Sequence, residues 1–101
     1  MDILSKIEGD KSLITFKKER VVGTESETFQ SLIQNSIDKG SKKILIDLSN
    51  VKYISSWGIG ILVHAYTTCI NRNTEFHLQG VNSEVMNVLN QLKLTKLFNI
   101  S

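Results

Sequence analysis

The sequence predicts an α/β fold with a mixed, mostly parallel sheet of about four or five strands and about three or four helices. Strand-like and helix-like segments alternate three times along residues 12–100, which favours right-handed crossovers and parallel pairing. Residues 43–48, KILIDL, are almost continuously apolar, as is typical of strands buried on both faces of a parallel sheet. The length of 101 residues fits a single domain over residues 1–101.

The chain begins with two short segments that predict a hairpin. Residues 3–8 and 12–18 are each rich enough in apolar side chains to form a strand. The sequence EGDK at residues 8–11 separates them and is a turn signal. We therefore expect the first two strands to be antiparallel neighbours.

A first helix is predicted over about residues 25–39. Thr24 and Glu27 have the spacing of a capping box, and Gly40 is placed to end the helix. Five side chains recur at helical spacing and define the expected core face: Phe29, Leu32, Ile33, Ser36 and Ile37.

The second half of the chain predicts helix, strand, helix and strand. The segments are about 57–71, 75–79, 83–92 and 97–100. The side chains expected on the core faces of the two helices are Ile59, Leu62, Val63, Tyr66 and Ile70, followed by Val85, Val88, Leu89 and Leu92. In the strand between them, alternation points Phe76 and Leu78 inward.

Composition excludes several classes of function. The net charge is +2, and Glu19 interrupts the longest basic run, Lys17-Lys18 with Arg20, so no nucleic-acid partner is expected. No apolar run is long enough to cross a bilayer, and the first ten residues lack an apolar signal core. We expect a cytoplasmic protein without membrane insertion. The single cysteine, Cys69, fits a reducing compartment and a buried position in the second helix.

The most informative stretch is residues 44–63, where a strand leads through a polar turn into the second helix. Ser56 is predicted to cap the helix that starts at Trp57, where the macrodipole and free N–H groups favour a phosphate. Alternatively, Ser56 is a cap and nothing more. Gly58 and Gly60 leave the backbone exposed near this end, but close packing of the helix on the sheet explains them equally well.

Trp57, Ile61 and His64 are predicted to form a mixed stripe suited to protein contact, opposite the core face of the second helix. The alternatives are that Trp57 covers the edge of the core and that His64 is an ordinary surface histidine. The two histidines are too isolated to predict a metal site. No nucleotide-binding motif and no specific catalytic set is present, so we expect no cofactor and no enzymatic activity.

The sequence ILIDLSNVKYISSWGIGILV resembles the signature of STAS domains, and specifically of bacterial anti-sigma factor antagonists. In that signature an apolar strand is followed by D-L-S/x-x-V, an apolar pair, D-S-S/T-G-L-G and a helix. The resemblance implies a STAS-like fold and partner switching. The unphosphorylated antagonist binds an anti-sigma factor that is also a serine kinase, phosphorylation of one serine abolishes binding, and a serine phosphatase restores it. The acceptor stands two residues before the first glycine, which is Ser56 here.

The sequence departs from this pattern beside the acceptor. Ser55, the alternate acceptor, replaces the usual acid, which alters what a kinase would recognise, and Trp57 replaces a small residue where a partner would dock. The family's G-x-L/I-D segment is not evident before the first helix. The resemblance implies a partner-binding set made of Ser55, Ser56, Trp57, Gly58, Gly60, Ile61 and His64. A phosphorylation-independent STAS scaffold and a small-ligand or nucleotide-binding STAS module remain as alternatives.

Overall fold

The computed structural model describes residues 2–100. Within them, the strands are β1 (Ile3–Glu8), β2 (Lys11–Phe16), β3 (Arg20–Val21), β4 (Lys43–Asp47), β5 (Tyr53–Ile54), β6 (Glu75–Gln79) and β7 (Asn99–Ile100). The helices are α1 (Ser26–Asp38), α2 (Ser56–Asn71) and α3 (Ser83–Gln91). The predicted strands and helices are confirmed in their order, strands β3 and β5 come in addition to them, and helix α2 begins one residue earlier than predicted.

The main sheet has five strands in the order β1-β2-β4-β6-β7. The β1–β2 hairpin is antiparallel, and every other neighbouring pair in this sheet is parallel. Each parallel step is made by a crossover that contains a helix, because the strands run in the same direction. The predicted mixed, mostly parallel sheet is therefore confirmed.

One sheet face differs from the prediction. Strand β4 was predicted to be buried on both faces, but its residues alternate: Ile44 and Ile46 are fully buried, whereas Leu45 is half-buried. The pairing register places Leu45 beside Leu13 and His77, which are also half-buried. The prediction was wrong because a continuous apolar run does not reveal whether both faces of its sheet are covered. Here one face packs on the core and the other remains partly open.

The C-terminus of helix α1 ends as predicted, but its N-terminus does not begin as predicted. At its C-terminus, Gly40 has φ +96°, and the backbone N–H of Ser41 donates to the carbonyl of Ser36 at 3.0 Å, as in a Schellman motif. The predicted capping box is absent, because Glu25 occupies the N-cap position without capping the helix through its side chain. The carboxylate of Glu25 instead turns back toward the preceding loop.

The core contains the predicted apolar faces with two exceptions. Tyr66 of α2 lies edge-on to Phe76 and Phe98, with ring centroids 6.0 and 5.8 Å away. Cys69 is fully buried, as expected. Ile70 in the last turn of α2 and Leu92 just after α3 are about half exposed, because both stand where their helices end.

A second, two-stranded sheet was not predicted. Strands β3 and β5 pair in parallel, and the guanidinium of Arg20 lies over the ring of Tyr53, 4.4 Å from its centroid. Each strand has two residues, too few for an alternating pattern to be recognised. This small sheet matters because β5 leads directly into α2 and β3 leads toward α1.

Candidate docking surface at the start of helix α2

The serine that caps helix α2 is Ser55, one residue before the predicted cap. Ser55 has an extended backbone, with φ −86° and ψ 173°, and its Oγ accepts a hydrogen bond from the N–H of Gly58 at 3.1 Å. Its own N–H donates to the carbonyl of Val21 at 3.0 Å. Ser55 thus satisfies the helix terminus and also attaches it to β3.

Ser56 is the first residue of α2 and is exposed to solvent. Since Ser55 already supplies the cap, the hydroxyl of Ser56 has no hydrogen-bond partner within residues 2–100. The first turn of α2 carries no acidic residue that would occupy the positive end of the helix dipole. Ser56 therefore presents a free hydroxyl at a helix N-terminus.

The two glycines of the first turns differ in their surroundings. A Cβ at Gly58 would overlap the carbonyl oxygen of Val21 and lie 2.7 Å from a side-chain carbon of Ile54. A Cβ at Gly60 would meet nothing within 4 Å. Close packing of α2 on the small sheet therefore explains Gly58 but not Gly60, whose missing side chain leaves open space on the exposed face.

Trp57 is 80% exposed, so the prediction that it lies outside the core is confirmed, and it does not cover the core edge. Its base rests against the loop between β3 and α1. A Cβ at Gly23, which has φ +112°, would lie 2.8 Å from the Cβ of Trp57. The lack of a side chain at Gly23 therefore allows the indole to stand at this position.

A groove of about 270 Å³ runs between the N-terminal turns of α1 and α2. Ile61 forms its floor: it is 6% exposed, so the prediction that it belongs to an exposed stripe was wrong. That side of α2 is covered because α1 packs beside it, as shown by the hydrogen bond from Gln30 to Thr68 at 3.1 Å. The other residues around the groove are Gly23, Ser26, Gln30, Trp57, Gly60 and His64.

The structure thus brings Trp57, Gly60, Ile61 and His64 together around the groove. Ser55 and Gly58 do not line the groove; they pack the start of α2 against the small sheet. Gly23, Ser26 and Gln30 were not predicted to take part. The sequence signal for Gly23 is a glycine that follows two valines and precedes a helix, but its contact with Trp57 depends on the unpredicted pairing of β3 with β5.

The loop that carries Gly23 is held by an ion pair that was also not predicted. The carboxylate of Glu25 accepts hydrogen bonds from the N–H groups of Val22 at 3.2 Å and Gly23 at 2.9 Å. Lys18 Nζ lies 2.5 Å from its other oxygen. Burial alone would raise the pKa of the Glu25 carboxyl, but Lys18 and the backbone N–H groups of Gly23 and Glu25 outweigh it and hold that pKa below its ordinary value of 4.5.

Helix α2 has no Asp, Glu, Lys or Arg in any of its 16 residues. Its exposed positions include Ser56, Trp57, Gly60, His64 and Thr67. The exposed side of an ordinary surface helix carries charged residues, whereas the cores of protein interfaces are depleted of them. The exposed side of α2 therefore has the composition of a contact surface.

A second groove, of about 430 Å³, lies beyond the carboxyl ends of β2 and β4. Most of its polar groups already have partners: Lys52 pairs with Glu19 at 3.3 Å, and Asn50 donates to the carbonyl of Phe16 at 3.2 Å. Among residues 2–100, no cluster of three metal-ligating side chains is found. No helix in this part of the chain is both long and apolar enough to span a membrane.

Both the sequence and the fold of this chain are similar to those of known proteins. The STAS domain family model matches residues 6–101. A Thermotoga maritima protein, provisionally assigned as an anti-sigma factor antagonist, has a TM-score of 0.84 at 25% identity over 97% of this chain and 84% of its own. An anti-sigma-factor antagonist (STAS) domain protein from Planctomyces limnophilus has a TM-score of 0.82 at 24% identity, covering 99% and 88%.

More distant proteins share the fold at low identity. The Bacillus cell fate determinant SpoIIAA in its phosphorylated form has a TM-score of 0.74 at 10% identity, covering 98% of this chain and 90% of its own. At this level of identity, the similarity shows a shared fold. Since the family match extends over nearly the whole sequence, this chain belongs to the STAS domain family.

Proposed function

We propose that this chain is an anti-sigma factor antagonist that binds an anti-sigma factor through the start of α2 and is switched off by phosphorylation of Ser56. The observation that carries the proposal is the exposed, unpartnered hydroxyl of Ser56 beside the exposed indole of Trp57. Similarity to the Thermotoga and Planctomyces antagonists supports the general role. The Bacillus protein adds a precedent for a phosphorylated state of this fold.

The electrostatics of the site suit a switch. A phosphate at Ser56 would add about −1.5 to −2 charges at the positive end of the α2 dipole, where anions are tolerated. The same charge would enter a surface that has no charged residue of its own on α2. A partner that matches the uncharged surface would have to desolvate the phosphate, which is costly without a compensating cation. Phosphorylation should therefore release the partner while leaving the domain folded.

The proposed partners are an anti-sigma factor that acts as the serine kinase and a phosphatase that reverses its action. The kinase would supply the nucleotide, since this chain has no nucleotide-binding motif. Ser56 is favoured over Ser55 as acceptor because Ser55 is half-buried and its Oγ is engaged with Gly58 at 3.1 Å. A kinase would have to break the cap to reach Ser55.

Mutation of the two serines provides the direct test. The wild-type chain is incubated with the purified anti-sigma factor, the proposed kinase, and labelled ATP. Ser56→Ala should lose the label, because its hydroxyl is the accessible one. Ser55→Ala should remain labelled but lose about 0.5–2 kcal/mol of stability, the usual effect of removing a serine N-cap. Thermal unfolding measures the second effect.

The outcomes of this experiment separate the possible functions. Labelling that persists in Ser56→Ala and disappears in Ser55→Ala would move the acceptor to the capping serine. Tight binding of the anti-sigma factor without labelling of either serine would favour a constitutive STAS scaffold. Absence of both binding and labelling would contradict the proposal.

A charge substitution tests the switch itself. Ser56→Asp should weaken binding to the anti-sigma factor by tenfold or more, about 1.4 kcal/mol, because a carboxylate enters an uncharged interface. The matched control, Ser56→Asn, has the same shape without the charge and should bind more tightly than Ser56→Asp. Calorimetry measures affinity, and circular dichroism should show the same folded spectrum for both. Equal affinity of the two variants would exclude a charge-operated switch at Ser56.

A further inference from the structure

The side chain of Glu25 is directed away from the helix whose start it occupies. An N-cap residue usually accepts a hydrogen bond from the N–H two or three positions ahead. Glu25 makes no such bond, and its carboxylate accepts instead from the N–H groups of Val22 and Gly23, three and two positions behind it. Its side chain is 4% exposed. A buried carboxylate is therefore used to fix the loop between β3 and α1 and not the helix.

Lys18 makes that arrangement stable. An isolated buried carboxylate is unfavourable, and an ion pair with further hydrogen bonds offsets the loss of water. Lys18 Nζ lies 2.5 Å from Glu25 Oε2, and the Lys18 side chain is itself only 25% exposed. Asp2, 4.0 Å from the same Nζ, is exposed and more distant. The pair therefore attaches one end of the loop, at Glu25, to the segment that follows β2.

The other end of the loop contacts the docking surface. The Gly23 N–H donates the shorter of the two hydrogen bonds to the Glu25 carboxylate, at 2.9 Å, and Gly23 lies against the Cβ of Trp57. Gly23 and Ser26 also form one side of the groove whose other side contains Trp57 and Gly60. A shift of Gly23 would therefore change the space between the loop and Trp57.

We propose that Glu25, fixed by Lys18, is a positioning residue for the docking surface: it holds Gly23 so that the Trp57 indole has a defined base and the groove a defined width. The inference rests on the proposed function for its consequence, since the positioned surface is the one that would receive the anti-sigma factor. Glu25 itself would not touch the partner, because its side chain is buried.

The test compares acid-to-alanine variants that change the net charge equally. Glu25→Ala removes both hydrogen bonds to the loop and the pair with Lys18. Glu27→Ala, the control, removes an exposed acid from the first turn of the same helix. Glu25→Gln is the conservative variant, because its amide oxygen can still accept from the Gly23 N–H but cannot form the ion pair.

Two measurements on the free protein report positioning. Hydrogen exchange of the Gly23 amide should become about tenfold faster or more in Glu25→Ala, as expected for loss of a hydrogen bond to a charged acceptor. The Trp57 indole N–H resonance should shift and broaden in the same variant. Glu25→Gln should lie between Glu25→Ala and wild type, and Glu27→Ala should match wild type. If Glu25→Ala does not fold, Glu25→Gln takes its place, with smaller changes expected in the same two readouts.

Binding then separates this inference from the proposed function. The affinity of folded Glu25→Ala for the anti-sigma factor should fall by about fivefold or more, whereas Glu27→Ala should bind as wild type. Unchanged Gly23 exchange and an unchanged indole resonance in Glu25→Ala, or in Glu25→Gln where it takes its place, would overturn the positioning role. If both readouts move as expected but wild type binds no anti-sigma factor, the proposed function fails and the control of Trp57 by Glu25 stands.

Discussion

At the scale of single residues, position within the first turn of α2 decides what each residue can do. The sequence SSWG predicted a serine cap and a phosphoacceptor, but it could not assign the two roles to the two serines. That assignment depends on the extended backbone of Ser55, which brings its Oγ within 3.1 Å of the Gly58 N–H. Composition and residue spacing do not reveal the backbone conformation of Ser55, so the sequence predicted the cap one residue too late.

Two glycines in the same helix should respond oppositely to the same substitution. Gly58→Ala should lower the free energy of unfolding by about 1–3 kcal/mol, because its methyl group would be forced against the backbone of β3. The carbonyl of Val21 cannot retreat freely, since it also accepts from the N–H of Ser55. Urea denaturation monitored by circular dichroism measures the loss.

Gly60→Ala is the matched control, because a Cβ there has open space and the backbone φ is not positive. Alanine is a better helix former than glycine, so this variant should gain about 0.5–1 kcal/mol of stability. Equal destabilisation by both substitutions would show that helix flexibility, and not contact with β3, explains Gly58.

At the scale of elements, α2 combines a buried side and an uncharged exposed side. Its periodic apolar residues were sufficient to predict the helix and most of its core face. The position of Ile61 could not be predicted, because a helix pattern reveals how wide its apolar face is but not which neighbour covers each part. In this fold α1 covers the side that contains Ile61. The two-residue strands β3 and β5 were missed for the different reason that they are too short to show a period.

Truncation of one exposed and one buried residue of α2 separates binding from folding. Trp57→Ala should weaken binding to the anti-sigma factor by more than about 1 kcal/mol, as is usual for an interface anchor. It should change stability little, since the indole is 80% exposed. Leu62→Ala, at a fully buried position, should instead lower the unfolding free energy by about 2–5 kcal/mol.

Calorimetric titration and thermal unfolding of the same preparations provide both numbers. Iodide should quench the Trp57 fluorescence of the free chain, and bound anti-sigma factor should protect it. A Trp57→Ala variant that binds normally would place the docking surface elsewhere.

At the scale of the whole molecule, stability should respond to acid through the ion pair between Lys18, before β3, and Glu25, at the start of α1. The folded pKa of Glu25 is below its ordinary value of 4.5, so its stabilising effect is complete above that value. The effect is lost as the pH falls through the folded pKa, because the protonated carboxyl no longer pairs with Lys18. Glu8 has a pKa lowered in the same direction by Lys6, but it is exposed and its effect is screened by salt.

Melting temperatures measured from pH 7 to pH 3 in high salt should therefore fall more steeply for wild type than for Glu25→Gln. The glutamine variant should be less stable at pH 7, and the two curves should converge in acid. Parallel curves over the whole range would mean that Glu25 contributes no pH-dependent stability.

The single cysteine can serve as a probe of how often the core opens. Cys69 is fully buried in α2, and burial raises the pKa of its thiol to about 12, so almost no thiolate is present in the folded state near neutral pH. Aromatic disulfide reagents should therefore modify it only when α2 lifts from the sheet. The modification rate, compared with that of the unfolded chain, measures the free energy of this opening under native conditions. Because α2 also carries the candidate docking surface, a partner bound there should slow the reaction even though the thiol lies on the opposite side of the helix.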